Sequence, residues 1–255
     1  MLHDLTNHQF DIIVQAGQSN SEGAGFGSVD EPYIPDGRVW YLNRNGTITQ
    51  AAEEVWGNDV RSNFSLPFAR AYIRAGMLAE GRELLILRTA VGSSGFLSGH
   101  WCMDGELYLH MMNMICTALA LNPENRLAAL LWHQGETDAV RGASFSVYYQ
   151  HLRNLLDSVR TTFGVPELPF VAGDLVHDWK STNAEACAPV VDAIRAVCRD
   201  CGNGGFVETA DLKSNRQELS YCPLNWAEDP IHFSRKSIYE LGLRYFAEYK
   251  RIVTP

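Results

Sequence analysis

The sequence predicts an α/β protein, a three-layer α/β/α sandwich around a central, mostly parallel five-stranded sheet. Three observations predict it. Short apolar runs recur along the chain, segments of helical periodicity separate them, and glycines or polar clusters stand where each run stops.

The first run, Phe10 to Ala16, is rich in β-branched residues and closed by Gly17, as expected for a strand buried on both faces. Leu84 to Leu87, Leu127 to Trp132 and Leu168 to Ala172 repeat its character, and Gly205 to Val207 makes a fifth, shorter strand. Between them, Phe145 to Phe163 places its apolar residues on one helical face. Phe68 to Leu78, Leu107 to Leu121 and Val190 to Val197 are further helices. Ile238, Leu241, Tyr245, Tyr249 and Ile252 mark a terminal one, opened by a Ser237-x-x-Glu240 capping box. Strands alternating with helices require right-handed crossovers and a parallel sheet. Residues 20–65 fit no periodic template and are read as a long loop with room for a hairpin.

The 255 residues are 46% hydrophobic and 20% charged, the balance of an ordinary globular chain, and are read as one domain over 1–255. A net charge of -9 without a dense basic run argues against nucleic acid as a partner. No apolar run approaches the ~20 residues of a membrane span, so no membrane partner is expected. Met1 to Phe10 lacks the pattern of a signal peptide, which makes the cytoplasm the expected compartment. Six scattered cysteines suit reduced thiols. Cys198-x-x-Cys201 has metal spacing, but no second CxxC or histidine pair completes a site, so neither metal nor cofactor is expected. Nothing in the sequence assigns an oligomeric state.

In parallel sheets reactive groups gather beyond the carboxyl ends of the strands, and four polar segments qualify. Ser19 follows the first strand, where its hydroxyl suits a nucleophile, although a serine there also caps turns. Asp229-Pro-Ile-His232 supplies a base and a carboxylate to fix its tautomer. At i and i+3 on a turn, Asp229 reaches Nδ1 and leaves Nε2 for Ser19. His133-Gln134-Gly135-Glu136-Thr137-Asp138 crowds polar side chains onto a strand exit that has little structural need of them. Gln134 can donate its amide to a developing oxyanion, and Glu136 can orient or tune the histidine. Val91-Gly92-Ser93-Ser94-Gly95 adds backbone N–H groups of Gly92 or Ser93. Each segment alone has a plain structural reading. Their coincidence at three strand ends and one C-terminal dyad points to acyl transfer.

In this order the four segments resemble the sequence blocks of the SGNH hydrolase superfamily, in its branch of carbohydrate O-acetylesterases, which includes acetylxylan esterases and sialate O-acetylesterase-type domains. The blocks are Gly17-Gln-Ser-Asn20, Val91-Gly-Ser93, His133-Gln-Gly-Glu-Thr-Asp138 and Asp229-x-x-His232. The resemblance implies a flavodoxin-like sheet with Ser19 as nucleophile and His232 as base. It implies an oxyanion hole from the N–H groups of Ser19 and Gly92 and the Gln134 side chain. The family's second block carries two adjacent glycines where this chain has Gly92 and Ser93, and the triad acid is Asp229 first, with Glu136 in reserve. The implied activity is removal of O-acetyl groups from a small acetylated carbohydrate, of sialic acid or xylo-oligosaccharide type, through an acetyl-enzyme. Two alternatives use the same sequence: a lipid or thioester acyl hydrolase, and a non-catalytic domain holding sugars on Trp40, Trp56 and Trp101. An α/β-hydrolase is a poorer fit, since its G-x-S-x-G elbow is absent around Ser19.

Overall fold

The computed structural model describes residues 5–221, 223 and 228–254. In chain order the elements are β1 (Gln9–Gly17), α1 (Ser19–Glu22), β2 (Val39–Leu42), β3 (Ile48–Gln50), β4 (Glu54–Trp56), β5 (Asp59–Arg61), α2 (Ser65–Arg74), β6 (Arg82–Arg88) and α3 (Glu106–Ala120). Then follow β7 (Arg126–His133), α4 (Glu136–Val140), α5 (Phe145–Thr162), β8 (Phe170–Gly173), α6 (His177–Thr182), α7 (Ala184–Asp200), β9 (Gly204–Val207), α8 (Asn215–Glu218) and α9 (Arg235–Val253).

One sheet runs β3-β2-β6-β1-β7-β8-β9, parallel throughout except for β3, which pairs antiparallel with β2 at the edge. The five expected strands are contiguous in it, in the order β6-β1-β7-β8-β9, with β9 at the edge. The expected count of five was short by two, because β2 and β3 lie inside the stretch read as a loop, as does the separate β4–β5 hairpin. These strands are only three or four residues long, too short to establish a period against a Gly- and Asn-rich background.

The strand period of two divides the core. Ile12, Val14 and Ala16 of β1, with Leu130 and Trp132 of β7, face α3, α5 and α7. Ile13, Ala129 and Leu131 face the opposite layer, built from α2 and α9. Residues Phe10, Ile12, Ile13, Val14 and Ala16 are all completely buried, on both faces of the strand, and the polar Asp11 and Gln15 within the same run are buried too.

Two helix boundaries depart from expectation. α9 begins at Arg235 with Ser234 as its cap, the Ser234 Oγ accepting the Ser237 N–H at 3.2 Å. The Ser237 hydroxyl, expected to cap, instead accepts the Lys213 N–H. α7 begins at Ala184, ahead of the expected Val190, and runs through Pro189, with Cys187 buried on one side of the proline and Val190 on the other. Five cysteines, 102, 116, 187, 198 and 201, are free thiols, and Cys222 lies outside the described residues. No helix among the described residues is long and apolar enough to cross a membrane.

Candidate active site

Because the strands are parallel, the ends of β1, β6 and β7 meet at one edge of the sheet, at the switch point on either side of β1. At this edge β1 ends on Gly17, with φ of 130°, and a Cβ there would stand 2.1 Å from the carbonyl oxygen of His133. Only glycine lets β1 close on β7 at this level, and the Gln18 N–H completes the junction with a 3.0 Å bond to the same carbonyl. The chain then turns into α1. Ser19 is its first residue, so its backbone N–H has no partner within the helix.

His232 Nε2 lies 2.8 Å from Ser19 Oγ, and His232 Nδ1 lies 3.1 Å from both oxygens of Asp229. An ionised carboxylate only accepts, so Nδ1 carries the proton and Nε2 accepts the serine O–H. Asp229 is completely buried and takes further bonds from the His232 N–H at 3.2 Å and from Asn215 Nδ2 at 2.8 Å. Burial alone would raise its pKa. The hydrogen bond and charge of His232, with the Asn215 bond, outweigh burial and hold the carboxyl below its ordinary value.

Asn215 is a site residue that sequence reasoning missed. Its amide also donates to Ala24 O at 2.9 Å and its Oδ1 accepts the Phe26 N–H at 3.2 Å, which fixes the side chain behind Asp229. The signal was present in Ser214-x-x-Gln217. It forms a reciprocal capping box that starts α8 at Asn215.

Glu136, the reserve acid, points elsewhere. Its Oε1 accepts from Asn20 Nδ2 at 2.7 Å, while its Oε2 is buried without a partner among the described residues. Burial raises its pKa, against smaller opposing effects from backbone N–H groups, Asn20 and His232. Asn20 is the second missed residue. Its Nδ2 also reaches Ile231 O at 2.9 Å and its Oδ1 accepts the Phe233 N–H at 3.1 Å, so it grips the backbone on both sides of His232.

Two expected oxyanion donors are turned away from the site. The Gly92 N–H donates to the Glu22 carboxylate at 2.8 Å, although Gly92 itself abuts Ser19, whose Cβ lies 3.7 Å from where a Gly92 Cβ would stand. The Gln134 amide is fully buried, and its nearest acceptor is Asp138 Oδ2 at 2.7 Å, ahead of Ser94 O at 3.1 Å and Gln18 Oε1 at 3.2 Å. In both cases a carboxylate of the chain captures the donor, and a charged acceptor outcompetes a neutral one. Ser93 has φ of 58°, the left-handed conformation that favours glycine, which accounts for the double glycine of the resembling family. Its amide has no acceptor among the described residues.

A cavity of about 320 Å³ opens over Ser19 and His232, walled by Ser93, Glu136, Val140 and Arg141. The three tryptophans that the non-catalytic alternative would use to hold a sugar do not converge on it. Trp101 is buried edge-on against Trp132, and the Trp40 ring nitrogen donates to Glu83 at 2.5 Å near the amino ends of the strands. Trp56 lies under the Arg61 guanidinium, 4.5 Å from its ring centre.

A profile of the family described as carbohydrate esterase, sialic acid-specific acetylesterase, matches residues 9–251, which include the ends of β1, β6 and β7 and the 229–232 segment. The chain belongs to this family. Among curated relatives of this sialic acid-specific acetylesterase family member, a probable 9-O-acetyl-N-acetylneuraminic acid deacetylase of Escherichia coli K12 is 23% identical over 127 residues. That match spans 40% of this chain and 39% of the relative's length. Among solved structures, NanS superposes with a TM-score of 0.80 at 18% identity, covering 96% of this chain and 98% of NanS. An Arabidopsis thaliana protein gives 0.73 at 18% identity, with 94% and 98% covered. A carbohydrate acetylesterase from Xanthomonas citri gives 0.61 at 14% identity, with 95% and 56% covered. At these identities the structures establish a shared fold.

Proposed function

We propose that this protein is a serine esterase that removes O-acetyl groups from an acidic sugar of the sialic acid class through an acetyl-enzyme intermediate. The observation that carries the proposal is the line Ser19 Oγ to His232 Nε2 to Asp229, at 2.8 Å and 3.1 Å, at the carboxyl edge of the sheet. Family membership and the deacetylase name of the curated relative support the ester and the sugar class.

Ser19 attacks the acetyl carbonyl carbon as His232 Nε2 takes its proton, and Asp229 stabilises the imidazolium that forms. The carbonyl oxygen becomes an oxyanion, for which we assign the backbone N–H groups of Ser19 and Ser93 as donors. The tetrahedral intermediate collapses and the C–O bond to the sugar breaks. His232 hands its proton to the leaving alkoxide, releasing the sugar hydroxyl and leaving acetyl-Ser19. Water, deprotonated by His232, then attacks the acetyl carbon, acetate leaves, and the proton returns to Ser19. Asn20 and Asn215 act as positioning residues, one on the backbone around His232 and the other on Asp229.

The test is mass spectrometry of the chain mixed with an O-acetylated sialic acid, alongside labelling by a fluorophosphonate. The expected result is acetate release and a phosphonyl adduct on Ser19, both absent in Ser19→Ala. Acetate release by Ser19→Ala at the wild-type rate would overturn the mechanism. Sugar binding without turnover or labelling would favour the non-catalytic alternative, and faster turnover of long acyl esters than of acetate would favour the lipid hydrolase.

A further inference from the structure

A second cavity, of about 370 Å³, adjoins the catalytic edge and takes no part in the chemistry above. It brings together three arginines from separate parts of the chain: Arg44 beyond β2, Arg61 on β5 and Arg88 at the end of β6. Glu22 and Glu54 also line it. Counting three cations against two carboxylates leaves one positive charge, in a chain whose net charge is -9. A positive recess in an acidic protein favours anions, because the net charge around it repels them while the recess attracts them.

The three guanidiniums are not equivalent. Glu54 binds Arg61 Nη2 and Arg88 Nη1, each at 2.5 Å. Arg61 is further held against Trp56, and Arg88 lies 5.0 Å from the centre of the Tyr41 ring. These two are fixed walls. Arg44 is exposed, and its guanidinium has no hydrogen bond or ion pair among the described residues. The cavity therefore holds a preorganised cationic wall and one uncommitted guanidinium, a group suited to bidentate recognition of a carboxylate.

Its position relative to Ser19 is set by α1. Ser19 opens that helix and Glu22 closes it one turn later, a rise of about 5 Å. Glu22 lines the arginine cavity while its Oε2 accepts the N–H of Gly92, the residue that abuts Ser19. Gly92 thus stands between the nucleophile and the arginine cavity, which places the cavity beside Ser19 at the same edge of the sheet. We propose that the cavity of Arg44, Arg61 and Arg88 binds the carboxylate of the substrate and so distinguishes an acetylated acidic sugar from a neutral one. The inference rests on the esterase function proposed above and adds the residues that choose its substrate.

The experiment measures kcat/KM on an O-acetylated sialic acid and on its carboxyl methyl ester, which carries the same acetyl group without the charge. The wild-type chain should prefer the free acid by roughly ten-fold, the scale of one charge-assisted contact. In Arg44→Gln that ratio falls towards one through KM, Arg44→Lys keeps part of it, and raising ionic strength lowers it in the wild type. The ratio is internally normalised, so partial loss of folded protein does not move it. Arg141→Gln serves as the competing arm, since Arg141 walls the Ser19 cavity itself. A wild-type ratio of one overturns the inference, as does a ratio that survives in Arg44→Gln and collapses in Arg141→Gln. p-Nitrophenyl acetate separates the two levels. No turnover of it by the wild type sinks the esterase function and this inference together, whereas turnover with a ratio of one sinks this inference alone.

Discussion

Two segments at this edge of the sheet offer the same chemistry at the same spacing: His133 and Glu136 at the end of β7, and Asp229 and His232 before α9. In the second, the carboxylate meets the imidazole, and the other ring nitrogen faces Ser19. In the first, histidine and glutamate never pair. His133 Nδ1 meets the Tyr245 hydroxyl, which donates its own proton to Trp132 O, so Nδ1 must donate and Nε2 is left buried without a partner among the described residues. Glu136 turns to Asn20. The difference lies in where the backbone sends each side chain. His133 is still on a strand and points into the layer of Phe64, Phe233 and Tyr245, whereas His232 is on an irregular segment free to face the edge. Spacing of i and i+3 therefore permits a dyad without creating one.

The sharpest way to break this comparison is to remove each carboxylate. Asp229→Asn should lower kcat by about 10⁴, because the imidazole loses the group that fixes its tautomer. Glu136→Gln should cost less than about ten-fold, since Asn20 can still bond the remaining carbonyl oxygen. Steady-state kinetics of the two variants, each checked for folding by circular dichroism, decides between them. Equal losses would mean that both segments serve His232.

Acid stability tests the other half of the comparison. Burial pushes the pKa of His133 down to about 3 from 6.5. The unfolded chain takes up that proton below pH 6.5 while the folded chain excludes it, so this residue should reduce stability as pH falls, by about 1.4 kcal/mol per unit, until the folded form protonates near pH 3. Asp229 acts in the same direction but lower, its stabilisation being lost below its ordinary 3.8 as pH falls through the depressed folded value. Glu136 opposes both. Its contribution is full below 4.5 and is lost as pH rises through its elevated folded value. Denaturation midpoints measured between pH 7 and 4 should show a flatter slope in His133→Phe than in the wild type, and parallel slopes would remove His133 from the account.

Gln134 sharpens the comparison within the first segment. With its amide turned to Asp138 and its Oε1 accepting the Tyr148 O–H at 2.8 Å, it ties β7 to α5 and to the loop after β6. Gln134→Ala should cost roughly 1–3 kcal/mol of stability by orphaning those partners, with a fall in kcat below about ten-fold. A fall of about 10²–10³ with an unchanged melting temperature would instead restore it as an oxyanion donor.

The central sheet and its main helices were legible because their signals are long: β1 buries five apolar side chains between Phe10 and Ala16, and α5 keeps one face for 18 residues. β2 to β5 were not, being too short for periodicity, and β2 is also placed by pairing with β6, distant in sequence. In the site, Ser19, His232 and Asp229 were legible because they carry reactive groups and a fixed spacing. Asn20 and Asn215 were not, because their importance lies in bonds to residues 211 and 191 positions away in the chain. The most specific motif, Gln134 to Glu136, proved to be largely inward-facing. A motif records what the fold needs as well as what the chemistry touches.

Ser93 brings these two demands to a single residue, and predicts the smallest effect. A non-glycine residue at φ of 58° costs of the order of 1 kcal/mol, so Ser93→Gly should raise stability by about that much, less the backbone freedom that glycine gains in the unfolded chain. If the contribution of this position is its backbone N–H, which glycine retains, kcat should stay within about three-fold of wild type. The chain would then be keeping a strained serine for something other than the oxyanion. The side chain lines the cavity over Ser19, where a hydroxyl can meet the leaving sugar. A rise in KM for the acetylated sugar without one for p-nitrophenyl acetate would locate that role in sugar binding, whereas a drop in kcat on both esters would show that the strain itself aims the amide.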